Sequence, residues 1–164
     1  MTTMAMPRVE TVRRLPAATS VTELMARDHE HLEALEQGAF EMLALGETSA
    51  GQAAWRDFAS GMRHHMLVEE QLLFPAYERA VLVRSVDGAE TDRLRAEHRA
   101  IERVLEALAD AFAGNAAALP LRADLHRLLG QHEMQELRVL YPRADGTLTA
   151  EEREALVARM QSMM

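Results

Sequence analysis

The pair His-x-x-x-Glu occurs four times in this chain, at His29/Glu33, His65/Glu69, His98/Glu102 and His132/Glu136. Nineteen glutamates in 164 residues would give the seven histidines about 0.8 such pair by chance, so four pairs call for a structural reason. In a helix, residues four apart lie above one another on one face. An imidazole and a carboxylate so placed are either a surface ion pair or two donors for a cation, and each of these pairs falls on a different predicted helix.

The rest of the chain also reads as helix, with almost none of the alternation expected of strands. Ser20-Val-Thr-Glu23 resembles a capping box opening a first helix that runs to about Leu45, before Gly46. A second starts near Ser49 and should break or bend around Pro75, continuing to about Arg84. Asp87-Gly-Ala-Glu90 opens a third, which stops at Gly114-Asn115. The fourth runs from Pro120 to Tyr141-Pro142. A short fifth helix after Thr149-Ala-Glu-Glu152 is expected to pack across the others as an accessory. The expected organisation is an N-terminal arm over 1–19, a helical unit over 20–142 and a C-terminal loop and short helix over 143–164.

An internal repeat relates the helices in pairs. His65, Glu69, Leu73, Phe74 and Pro75 fall on His132, Glu136, Leu140, Tyr141 and Pro142 at an offset of 67. Met25, His29, Leu32, Ala39 and Leu43 fall on Leu94, His98, Ile101, Leu108 and Phe112 at an offset of 69. The chain therefore reads as a duplicated helical hairpin. His29 and His65 lie at similar distances from the first turn, as His98 and His132 do from the second, so at roughly 1.5 Å per residue each hairpin brings its two histidines to one level. Phe58, Met62, Val68 and Leu72 flank His65 at helical spacing, and Leu125, Leu128, Leu129, Val139 and Leu140 flank His132, which places both on core stripes. Helix-surface ion pairs are the plainer reading of such pairs, but the apolar flanks argue against it here. Burying four imidazoles and two carboxylates without compensation is costly, and a pair of metal ions between them is the economical solution.

Composition narrows the chemistry. A formal charge of -8 and a pI near 5.4 offer no general attraction to nucleic acid or to anionic membranes. The absence of cysteine excludes disulfides, thiolate zinc sites and cysteine-ligated clusters, leaving histidine and carboxylate as donors. No segment approaches 18 unbroken apolar residues and the first twenty residues lack a secretory apolar run, so a cytoplasmic protein is expected.

The segments HHMLVEEQLLFPAYE, RDHEHLEAL, AEHRAIERVLEAL and QHEMQELRVLYP resemble the hemerythrin-like family, also called the HHE cation-binding domain, over about 20–142. The resemblance implies an all-α, up-down-up-down four-helix bundle holding a non-haem di-iron centre, oxo- and carboxylate-bridged. His29, His65, His98 and His132 would be terminal ligands, and Glu69 and Glu136 would bridge. Manganese or zinc would also suit such donors. Oxygen-carrying members have a second histidine one turn away on the third helix, where this chain has only His98. Its ligand set is more similar to the hemerythrin-like domain of iron-centre repair proteins, which respond to nitric oxide and peroxide stress, although their cysteine-containing domain has no counterpart here.

Glu102 and Glu33 are second-tier candidates, with solvated salt bridging as their default. Thr22 and Glu36 are polar neighbours of His29 on the first helix. His31, His64 and His126 lack the Glu and Pro register and are expected not to be ligands. Three functions follow: a di-iron protein binding or reducing oxygen, peroxide or nitric oxide, with small diatomic or peroxide partners; an iron-homeostasis or iron-donor module; and a bundle with a redox-silent structural metal.

Overall fold

The computed structural model describes residues 18–84, 90–114 and 118–164. Most of the expected arm, the Asp87-Gly-Ala opening of the third helix and Asn115 lie outside the described residues. Among those described there are five helices and no strand. We call them α1, Val21–Ala44; α2, made of Thr48–Val68, a π-helical turn Glu69–Leu73 and Phe74–Arg84; α3, Glu90–Gly114; α4, made of Ala118–Gln135, a π-helical turn Glu136–Leu140 and Tyr141–Thr147; and α5, Ala150–Met163.

Local chemistry sets most of the boundaries. Ser20 Oγ accepts the Glu23 N–H at 3.0 Å at the start of α1, while the Glu23 carboxylate accepts the Thr19 N–H at 2.8 Å. Two further free N–H groups there, those of Val21 and Thr22, donate to the Asp145 carboxylate at 2.8 and 3.0 Å, which pins the end of α4 to the start of α1. Gly46 has φ +82°, and the Glu47 N–H returns to the Met42 carbonyl at 2.9 Å, closing α1 with a left-handed cap that glycine adopts without strain. Across this turn α1 and α2 pack closely: a Cβ added at Gly51 would come within 2.6 Å of Leu43 Cγ. α5 opens with a complete capping box between Thr149 and Glu152.

The two prolines behave alike. In each case a glutamate six residues earlier opens a π-turn, and the Phe74 and Tyr141 N–H groups bond to the Glu69 and Glu136 carbonyls. The widened turn absorbs the steric conflict between a proline ring and the preceding carbonyls, so the helix continues past the proline. Where a break or bend was expected at Pro75, the helix takes a π-turn and continues to Arg84. The expected stop at Tyr141-Pro142 is corrected: α4 continues to Thr147, because after the π-turn Pro142 sits in the first turn of a new α-segment, where no N–H is required.

α1 packs along α2 and α3 along α4, α2 also touches α3, and α5 lies against α1 and the π-turn of α2. The apolar interior forms two clusters. One gathers Met25, Phe74, Tyr77, Leu94, Tyr141 and Val157, and the other Leu32, Trp55, Phe58, Ile101, Leu105 and Leu125. His29 lies in sequence between Met25 of one and Leu32 of the other, and His98 between Leu94 and Ile101. The helices therefore pass from one cluster to the other through a polar layer. Among the described residues, no helix is long and apolar enough to cross a membrane.

Candidate metal centre

The polar layer consists of the six residues that the repeats single out. His29, His65, Glu69, His98, His132 and Glu136 are all buried, the two glutamates completely. The helical register places His65 with Glu69 and His132 with Glu136 on inward faces, and the π-turns begin at the two glutamates themselves. His29 and His65 face each other with Nε2 atoms 3.1 Å apart, and the His98 and His132 ring centroids are 4.8 Å apart.

The glutamates tie the two histidine pairs together. Glu136 Oε1 is 2.9 Å from His132 Nε2 and its Oε2 is 3.3 Å from His29 Nε2. Glu69 Oε2 is 3.2 Å from His98 Nε2 and 3.6 Å from His65 Nε2. Two donor groups result: Glu69, His98, His132 and Glu136 form one, and His29, His65 and Glu136 the other, each with its donor atoms within 4.8 Å of one another. Either group could hold a metal ion, and Glu136 belongs to both.

The fit to cations is visible in what lacks a partner. Glu69 Oε2, His98 Nε2, His132 Nε2 and both Glu136 oxygens are fully buried and make no hydrogen bond among the described residues. Buried polar atoms are almost always paired, and five converging orphans of this kind are what a cation between them would satisfy. Without one, protons hold the charge. Burial opposes a charge on His132, yet the Glu136 carboxylate, with Glu97 and Glu69 behind it, raises its pKa to about 10. His65 is raised likewise, against its burial, by Glu69 and Asp28. Burial would raise Glu136, but His132, His29 and His65 hold its carboxyl well below the usual range.

Three histidines are oriented from behind. His65 Nδ1 donates to Asp28 Oδ2 at 2.7 Å, His98 Nδ1 to Glu70 Oε1 at 2.7 Å and His132 Nδ1 to Glu97 Oε2 at 3.2 Å. A hydrogen bond at Nδ1 fixes the tautomer and leaves the Nε2 lone pair facing inward. Tyr141, wholly buried, donates its hydroxyl to Glu69 Oε1 at 2.7 Å and lies 3.5 Å from His29 Nε2. Sequence reading missed these four residues as partners of the cluster. The available signal was that Asp28, Glu70 and Glu97 are each next in sequence to a residue of the set.

The structure does not bring the second-tier candidates into the cluster. Glu102 is paired with Arg63 Nη2 at 2.7 Å, and exposed Glu33 accepts from Gln37 at 3.0 Å. His31, His64 and His126 are exposed. The polar neighbours of His29 are themselves engaged: the Thr22 hydroxyl donates to Asp145, and buried Glu36 accepts from Arg122 Nε at 3.1 Å, with His126 Nε2 at 3.2 Å. A cavity of about 200 Å³ is lined by Leu32, Glu33, Glu36, Phe58, Met62, His126, Leu129, Gly130 and Glu133, and none of the six residues reaches it. A larger surface groove of about 500 Å³, between α2 and α5, includes none of the six residues.

A family model, the hemerythrin HHE cation binding domain, matches residues 20–144, a span that contains all six residues and both π-turns. No curated protein and no solved structure matches the chain.

Proposed function

Because the chain belongs to the hemerythrin HHE cation-binding family, we propose that it is a non-haem di-iron protein that reacts with oxygen, peroxide or nitric oxide. The observation that carries this reading is the pair of buried donor groups sharing Glu136, five of whose inward atoms have no hydrogen-bond partner among the described residues. In this reading His29, His65, His98, His132, Glu69 and Glu136 would hold the two ions, with Glu136 shared between the donor groups. Mixed imidazole and carboxylate donors suit iron and are compatible with manganese or zinc. We read α1 to α4 as an up-down-up-down four-helix bundle with α5 as its accessory, supported by the meeting of one histidine from each helix in one layer, and we read the protein as cytoplasmic.

A bound iron pair would supply one-electron chemistry toward small oxidants and nitric oxide. The chain's own residues prepare the site for it. Asp28, Glu70 and Glu97 hold three imidazoles with Nε2 inward. Tyr141 orients Glu69 and carries a proton beside His29. The apolar clusters on either side keep bulk water from the polar layer.

Anaerobic loading of chelator-treated protein with ferrous iron, followed by metal analysis and optical titration with oxygen, peroxide and nitric oxide, tests the reading. About two irons per chain, one for each donor group, and a rapid spectral response to peroxide or nitric oxide are expected. One iron per chain, or two that respond to none of the three, would count against it.

A further inference from the structure

The two halves of the chain supply matching parts to the centre, and the places where they fail to match distinguish its two ion positions. At the offset of 69 between α1 and α3, Asp28 corresponds to Glu97, and each accepts the Nδ1 hydrogen of the histidine on the following helix, His65 and His132 respectively. At the offset of 67 between α2 and α4, Glu70 corresponds to Leu137. Glu70 accepts the Nδ1 hydrogen of His98 at 2.7 Å. The Leu137 side chain can accept nothing, and His29 Nδ1 is buried without a hydrogen-bond partner among the described residues. Glu133, one turn earlier on α4, interacts with His29 by charge but makes no hydrogen bond to that nitrogen.

The second mismatch is at Phe74 and Tyr141. Phe74 stacks on His98, with centroids 5.6 Å apart and planes 19° apart, which further restrains that imidazole. Tyr141 instead engages Glu69 Oε1, so the unengaged oxygen of that carboxylate is Oε2, which lies closer to His98 Nε2 than to His65 Nε2. One position therefore has four donors with both histidines braced, and the other has three donors with His29 unbraced.

We propose that the centre fills in order: a first divalent transition cation binds tightly at the His98, His132, Glu69 and Glu136 position, and a second binds reversibly at the His29, His65 and Glu136 position, made labile by Leu137. The proposal rests on the paired-centre reading above. Its physical basis is orientation. An imidazole with a carboxylate at Nδ1 is held in the ligating tautomer and is more basic at Nε2, whereas His29 must be ordered when the ion arrives.

Isothermal titration of chelator-treated full-length protein with cobalt(II), an oxygen-stable stand-in for ferrous iron, reads the two steps directly. Wild-type protein should bind in two steps whose affinities differ by roughly ten-fold or more. Glu70→Leu should weaken the first step by about 10-fold to 100-fold and leave the second unchanged, and Glu70→Gln, which keeps an acceptor for Nδ1, should restore it. Leu137→Glu should strengthen the second step. That substitution places an acid where Leu137 packs on an apolar cluster, so the exposed Glu70 pair of variants tests the ordering even if Leu137→Glu does not fold. Two ions bound with indistinguishable affinities, or a Glu70→Leu effect confined to the weaker step, would overturn the ordering and leave the paired centre standing. A single ion bound to the wild type would overturn both.

Discussion

Replacing Tyr141 by phenylalanine removes one hydroxyl from the middle of the molecule. The side chain is wholly buried, its O–H donates to Glu69 Oε1 at 2.7 Å, and Glu69 is itself fully buried. Burial, reinforced by the Glu136 and Glu69 carboxylates, holds the phenol well above its ordinary pKa, so it remains a donor across the working range. Hydrogen bonds to charged groups contribute about 1.5–3 kcal/mol, and a buried acceptor left without its donor loses that contribution without water to replace it. The packing change is a single oxygen, and phenylalanine is the residue the chain itself uses at the corresponding position 74. The expected loss in the metal-free protein is therefore about 2 kcal/mol, which for a chain of this size lowers Tm by roughly 4–8 °C. Urea unfolding of chelator-treated wild type and Tyr141→Phe, followed by far-ultraviolet circular dichroism, measures it. The midpoint should fall while the slope with urea stays constant. A loss below about 0.5 kcal/mol would refute the view that the hydroxyl serves a charged, water-excluded carboxylate.

Alanine at Glu69 or Glu136 should cut iron content after anaerobic loading by about half or more, since Glu136 serves both donor groups, while alanine at exposed His31, His64 or His126 should leave it unchanged. Iron lost on replacing His31 or His64 would mean that the ligating faces of α1 and α2 are misassigned. In the metal-free protein, the raised pKa of His132 makes its stabilising contribution complete below about 6.5 and lost as pH rises through about 10. With no lysine in the chain to titrate in that interval, the urea midpoint should decline between about pH 7 and 9.5, and His132→Gln should flatten the slope. Metal affinity should run the other way and rise with pH, because each Nε2 must shed its proton to ligate, so calorimetry showing pH-independent metal binding would contradict the assignment of these imidazoles.

Much of this protein is determined within single helices and was legible there. Ser20 and Thr149 cap α1 and α5 through their own neighbours three residues on, Gly46 turns the chain because its left-handed φ suits glycine, and the roughly 100° step per residue separates His29 from His31 and His65 from His64. The one-turn His-x-x-x-Glu spacing also named Glu33 and Glu102, which the fold leaves outside the cluster. That His29, His65, Glu69, His98, His132 and Glu136 share a buried layer was readable from the repeat, which aligned two helices with two others. The tertiary structure alone decided which atoms stand behind those residues. Asp28 meets His65 across 37 residues, Glu97 meets His132 across 35 and Glu70 meets His98 across 28. Such contacts depend on how each helix is rotated and offset against the next, which no window of sequence records. Tyr141 on Glu69, Asp145 at the start of α1, and the burial of Glu36 against Arg122 are of the same kind. Pro142 stands between the two cases. Read locally, a proline after a helical run ends it, because its nitrogen cannot donate; in the fold, the π-turn ahead of it leaves that nitrogen where no donor is needed, and α4 runs on to reach α1.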